Sequence, residues 1–301
     1  MNQNTNVRAR STPPASSQQV AWYYDQNTPR FLRFGGSKAI AAIHRQIWAP
    51  GVESPEEAFL YLNRLVAEAI RPALQTGTDE SQPGGVLDLG CGVGGTTTWL
   101  AQHFGKRVGL LTGVTNSAVQ HQLAQERAAS LGLQGNCQFL LANFLELPDL
   151  DNTRAAFAIE SFVHAGDAQR FFAQAARQLP PGGRLVICDD FLSDAAETQP
   201  EAQHWVQRFQ TGWHLNNLLP VSKVLRLGQE AGFHLLQSHD LSPYLRHFHP
   251  VILWSLALLT HLQAVAIRSA YWQNLAGGTA LQICSRHGWI QYRSLVWEKR
   301  A

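Results

Sequence analysis

Apolar positions along the chain recur first at helical spacing and later in short runs of strand length, and that change divides the sequence. Ser54-Pro-Glu-Glu opens a helix with a capping serine, proline at the first helical position and acids in the first turn. Ala58, Leu62, Leu65, Val66 and Ile70 then fall on one face. Upstream, Ser37 to Trp48 also reads as helical, so helices precede any strong strand signal.

After a polar turn region at Gly77 to Gly85 the pattern alternates. Strands are expected at Val86–Leu89, Arg107–Val114, Gln138–Leu141, Ala155–Glu160, Arg184–Asp189, Phe233–Asp240 and Ile290–Trp297. Helices are expected at Thr96–Phe104 and Ser117–Leu131, and the fifth strand is entered through the turn Pro180-Pro181-Gly182-Gly183. Alternation of this kind predicts an α/β fold: a seven-stranded, mostly parallel sheet with helices on both faces. The expected organisation is a disordered tail at 1–19, a helical cap at 20–80 and a core at 81–301, with a helical substrate-cap insertion at about 241–288 before the last strand.

Charge changes this picture little. The 24 basic and 22 acidic residues are scattered and leave a net charge of +2, so no basic stripe marks a nucleic-acid partner. Cys91, Cys137, Cys188 and Cys284 stand too far apart for a zinc or redox motif, which fits free thiols, no metal site and a cytoplasmic location. Met1 to Gln19 lacks the apolar run of a secretory signal. Val251 to Ile267 carries no formal charge but is short for a membrane span; a buried or substrate-facing helix is expected there, with interfacial membrane contact as the alternative.

Val86-Leu-Asp-Leu-Gly-Cys-Gly-Val-Gly-Gly95 carries the chemistry. Glycines at a strand-to-helix turn let the backbone approach a ligand closely. Gly90, Gly92 and Gly95 also satisfy the dinucleotide pattern G-x-G-x-x-G, which alone is weak. A nicotinamide site needs an acid for the ribose about twenty residues on, yet Leu89 to Gln125 contains neither Asp nor Glu. Asp88 instead puts a carboxylate at the end of the first strand, suited to a cationic amino group.

These residues resemble the class I S-adenosylmethionine-dependent methyltransferases, and within them the branch of tocopherol, sterol and prenyl-chain methyltransferases and cyclopropane fatty-acid synthases. The resemblance rests on Val86 to Gly92, on Leu111-Thr-Gly-Val-Thr-Asn-Ser-Ala-Val-Gln120, and on Ile159-Glu-Ser-Phe-Val-His164, with further likeness at Tyr23-Tyr24-Asp25 and from Ala280 to Tyr292. It implies a Rossmann-like fold and S-adenosylmethionine as cofactor. It also implies cofactor contacts from Tyr24, Asp88, Gly90, Gly92, Thr115, Asn116, Gln120, Asn143 and Phe144. Asn143 stands where the branch often has an acid, and can still accept a hydrogen bond.

The cofactor brings its own activation, so what is left to the protein is alignment and exclusion of water. His164 is the candidate base, and Glu160 the candidate contact to cofactor or substrate or the stabiliser of a cationic intermediate. Methylation at carbon, nitrogen or oxygen stays open. His204, Trp205, Phe209, Trp213 and His214, with the Tyr244 to Trp272 region, suggest a pocket for a small, largely apolar acceptor. Arg30, Arg33, Lys38 and Arg45 read as a solvated face, with a prenyl diphosphate site as the alternative. A monomer or homodimer is expected. The competing functions are a nicotinamide-dependent oxidoreductase and a non-catalytic scaffold on the same fold.

Overall fold

The computed structural model describes residues 16–30, 44–75, 83–262 and 269–301. Five parallel strands form its centre: β1 (Gly85–Leu89), β2 (Leu111–Thr115), β3 (Cys137–Leu141), β4 (Thr153–Ile159) and β5 (Arg184–Leu192). Every residue of β1 is buried, because helices cover both faces. Val86 joins the cluster containing Leu62, Val66 and Ile70 of α2 (Pro55–Gln75) and Leu100 of α3 (Gly95–Phe104). Leu87 and Leu89 point the other way, into a cluster with Phe171 and Phe172 of α5 (Ala168–Gln178) and Val224 of α7 (Val221–Glu230).

The last two strands close the sheet differently. β7 (Ile290–Lys299) inserts antiparallel between β5 and β6 (Phe233–Asp240), giving the order β3-β2-β1-β4-β5-β7-β6. The dinucleotide folds keep the order 3-2-1-4-5-6, so this closure already separates the chain from them. Strand order reverses between β1 and β4, and the crevice beyond their carboxyl ends is where a ligand collects in such sheets.

The capping signals hold. Ser54 Oγ accepts from Glu57 N at 3.2 Å while Glu57 Oε2 accepts from Ser54 N at 3.2 Å, a reciprocal box that starts α2. Ser117 Oγ accepts from Gln120 N at 3.1 Å and caps α4 (Ala118–Ser130).

Several expectations shift. Helix α1 (Ser17–Arg30) begins inside the stretch read as tail. The helix expected at Ser37 to Trp48 lies partly outside the described residues, and from His44 to Trp48 the chain is not helical. There Ile47 N donates to the carbonyl of Ala58 and Trp48 N to that of Tyr244, long-range pairings that no local periodicity announces. The second strand starts at Leu111, since Gly105–Arg107 forms a 3-10 turn that ends α3. Helix α8 (Pro250–Leu262), within the span expected to be buried, exposes Val251, Ile252, Trp254, Leu258 and Leu259.

Three of the aromatic residues credited to the pocket, Trp205, Phe209 and Trp213, are packing instead. α6 (Pro200–Trp213) and α9 (Ala270–Arg286) cross at Gly212 and Gly277, where a Cβ on Gly212 would lie 2.7 Å from Gly277 Cα. Phe209 is fully buried in the cluster with Leu281, Cys284 and Trp289, and Trp205 and Trp213 pack against it. Their size is used to join two helices that leave no room for side chains at the crossing.

Candidate functional site

A cavity of about 410 Å³ opens at the carboxyl ends of β1, β2 and β4. Its lining brings together the candidate cofactor contacts Tyr24, Asp88, Gly90, Gly92, Thr115, Asn116, Gln120, Asn143 and Phe144 with the candidate catalytic residues Glu160 and His164.

The turn after β1 is shaped by backbone conformations that side chains avoid. Gly90 has φ 102°, and a Cβ there would sit 2.4 Å from Ser161 Cβ on the neighbouring β4 loop. Gly92, at φ 54°, would aim a Cβ at nothing within 4 Å, so the backbone itself forms that part of the wall. Asp88 is 3% exposed, and Thr97 Oγ1 donates to its Oδ2 at 2.6 Å. Burial pushes its carboxyl up to about 7 despite that hydrogen bond. A buried carboxylate with one hydroxyl to support it is primed for a cation.

At the end of β2 the polar side chains are paired with one another and with α1. Thr115 Oγ1 donates to Gln120 Oε1 at 2.8 Å, and Gln120 Nε2 donates to Thr28 Oγ1 at 3.3 Å. Asn116 Nδ2 donates to the carbonyl of Ser17 at 3.2 Å, while Asp25 accepts from the Ser117 hydroxyl. Helix α1 is thus moored on the amino end of α4 and roofs the cavity with Tyr24. Beyond β3, Asn143 Oδ1 accepts from Leu145 N at 3.0 Å and shapes its loop, and the Phe144 ring meets Phe171 edge to face at 5.8 Å between centroids.

The far wall is built at the ends of β4 and β5. Tyr24 Oη lies 2.8 Å from His164 Nε2, and His164 Nδ1 lies 3.4 Å from the carbonyl of His214. The tautomer serving both contacts carries its proton on Nδ1, so Nε2 accepts from the tyrosine. Burial pushes the imidazole down to about 4 and holds the Tyr24 phenol well above its usual range, so both groups are neutral near neutral pH. The neighbouring tyrosine faces elsewhere, since Tyr23, 2% exposed, donates to Asn274 Oδ1 at 2.9 Å and anchors α1 to α9.

Glu160 adopts φ 50°, an uncommon conformation for a side chain of its size. Its Oε1 accepts from Arg45 N at 2.8 Å and from Tyr292 Oη at 2.9 Å. Arg45, read from sequence as solvated or diphosphate-facing, is instead paired with buried Asp190, stands 3.8 Å from Glu160 and lies over the Tyr292 ring at 4.5 Å. Burial alone would lower the guanidinium pKa, but Asp190 and Glu160 more than offset that and keep it charged. The side chain of Arg30, and Arg33 and Lys38 entirely, lie outside the described residues.

Two groups of residues went unnoticed in the sequence. His44 and Asn216 line the cavity from segments that are neither helix nor strand in the structure. Asp189 and Asp190 are buried, and consecutive acids at the end of an apolar strand were a legible signal. Asp189 accepts from Val163 N at 3.2 Å and so fixes the loop that carries His164. Among the described residues no cluster of His, Cys, Asp and Glu is arranged to hold a metal ion.

Comparison with known proteins bears on the family and the fold. Residues 86–183 match the family model described as a methyltransferase domain. The chain is 31% identical over 240 residues to the methyltransferase GfsG of Streptomyces halstedii, covering 79% of this chain and 81% of that protein. It is 23% identical over 276 residues to a probable chloroplastic tocopherol O-methyltransferase of Oryza sativa subsp. japonica, covering 90% and 74%. Among solved structures the [4+2]-cyclase SpnF superposes with a TM-score of 0.70 at 26% identity, over 96% of this chain and 98% of that one.

Proposed function

This chain belongs to the methyltransferase family, with S-adenosylmethionine as its cofactor, and from that premise we propose that it methylates a small, largely apolar metabolite at carbon, nitrogen or oxygen. The observation that carries the reading is the buried Asp88 beside the Gly90 to Gly92 wall. A cavity of about 410 Å³ is within the range that small-molecule sites occupy. Its polar and apolar ends suit a charged amino acid moiety at Asp88 and a flat ring near Phe144 and Asn143.

When bound, the cofactor supplies a methyl group already activated on a sulfonium. Asp88 would hold the amino group, while Thr115, Asn116 and Gln120 shape the ribose edge and Asn143 with Phe144 the adenine edge. Tyr24 closes the roof and excludes water. On the acceptor side Glu160 offers a carboxylate held in place by Arg45 and Tyr292. His164 stands as neutral imidazole, able to accept a proton from an acceptor hydroxyl or amine, with the Tyr24 hydroxyl keeping its tautomer fixed until then. A cap at 20–80 and an insertion at about 241–288 would admit and enclose the acceptor. Four free, buried cysteines favour a reducing, cytoplasmic setting.

The same fold serves a cyclase, so cofactor binding alone does not establish the reaction. The test is transfer of labelled methyl from S-adenosylmethionine onto prenyl, phenolic and alkaloid-like acceptors; binding without transfer to any of them would refute the proposed activity. His164→Ala should slow transfer about 100-fold with S-adenosylhomocysteine affinity unchanged, measured by initial rates and calorimetry. An unchanged rate removes the histidine from the chemistry.

A further inference from the structure

Helix α8 contains no charged residue and turns its apolar side to solvent. Leu253 and Thr260 face inward, while Trp254 is 69%, Val251 65% and Ile252 53% exposed, with Leu258 and Leu259 beside them and exposed Phe248 just before the helix. Contiguous apolar surface of this kind marks a site of contact, because isolated exposed residues are common and such clusters are not. Among the described residues no helix is long and apolar enough to cross a membrane.

Charge identifies what covers the helix. No Asp or Glu occurs between Asp240 and Glu298. At the amino end of α8 stand Arg246, exposed with its guanidinium over the Trp48 ring, and exposed Arg286, whose Nη1 donates to the carbonyl of Phe248 at 2.9 Å. A second copy of the chain is a poor occupant. In a two-fold contact the patch meets itself, so its arginines would face arginines with no acid in the segment to separate them. An anionic lipid surface answers both features: phosphates meet the arginines, and Trp, Ile, Val and Leu enter the acyl boundary.

We propose that α8, flanked by Arg246 and Arg286, docks the protein on the surface of anionic bilayers. The helix lies in the interface plane and does not span it. This inference goes beyond methyl transfer and does not need it: none of the described side chains of α8 lines the cavity.

Co-sedimentation of the full chain, without cofactor, tests the surface with vesicles of phosphatidylcholine and of phosphatidylcholine mixed with phosphatidylglycerol. Binding should favour the mixed vesicles and weaken as salt rises. The Ile252→Ser, Trp254→Ser double variant should lose about tenfold or more in binding, and Arg246→Gln with Arg286→Gln should remove most of the preference for the mixed vesicles. Retained thermal stabilisation by S-adenosylhomocysteine shows that the variants are folded. Equal affinity for both vesicle types, no binding to either, or a dimer in sedimentation that the Ile252→Ser, Trp254→Ser variant dissociates would each overturn the proposal.

Discussion

Asp88→Asn should weaken S-adenosylhomocysteine binding about 100-fold or more while making the ligand-free protein more stable. Both effects come from one carboxylate. Burial raises it to about 7, so in the empty site its ionised form is held at a cost. The sign follows from linkage. A group whose folded pKa lies above its unfolded value contributes stability below about pH 4, and that contribution is lost as pH rises through about 7. Asparagine escapes this loss, so its advantage should reach about 1 to 3 kcal/mol near pH 8 and fade toward about pH 4. A bound ammonium reverses the preference, since the cation needs the ionised carboxylate. Affinity of the unaltered protein should therefore fall about tenfold between about pH 8 and about pH 6. Calorimetry across that range and thermal melts of both forms measure the two arms. Tight binding by the variant, or an affinity flat with pH, would remove Asp88 from cofactor recognition.

The part of this site that sequence displayed is the part built by consecutive residues. Val86 to Gly95 encodes a strand, its terminal acid and the turn together, because the backbone conformations at Gly90 and Gly92 restrict which residues can stand there. The seven strands were legible from short apolar runs between turns. Their spatial order was not: β7 lies between β5 and β6 through pairings such as Asp190 with Tyr292, which no local pattern records. Arg45 reads as one of several scattered basic residues until the fold sets it against Asp190, far along the chain. The α8 region shows a different limit. An apolar run predicts helix and contact, but whether the contact is internal depends on how much surface α9 and α6 leave uncovered, a property of the assembled layers. The aromatic residues of α6 met the converse fate, absorbed into packing because Gly212 and Gly277 let two helices approach closely.

Arg45→Met should destabilise the protein by about 3 kcal/mol, the cost of removing one partner from a buried ion pair. Asp190 is 2% exposed, and its own burial pushes its carboxyl up, against which Arg45 is the largest opposing influence. Methionine fills part of the volume of the arginine stem but returns no charge, so Asp190 must take up a proton or remain ionised without compensation. Protonation relieves the penalty; the loss relative to the unaltered protein should therefore shrink as pH falls and be largest in alkali. Adding Asp190→Asn removes the uncompensated charge, and the Arg45→Met, Asp190→Asn double variant should regain more than half of the lost stability. Glu160 supplies a second readout. Tyr292 still donates to it in the variant, as does the backbone of residue 45, so the carboxylate keeps its place but loses the nearby cation. Methyl transfer should slow while S-adenosylhomocysteine affinity holds, because Arg45 does not line the cofactor cavity. Chemical denaturation of the single and double variants over a pH series decides the matter: a neutral Arg45→Met, or two losses that simply add, would mean that the pair carries no stabilising interaction.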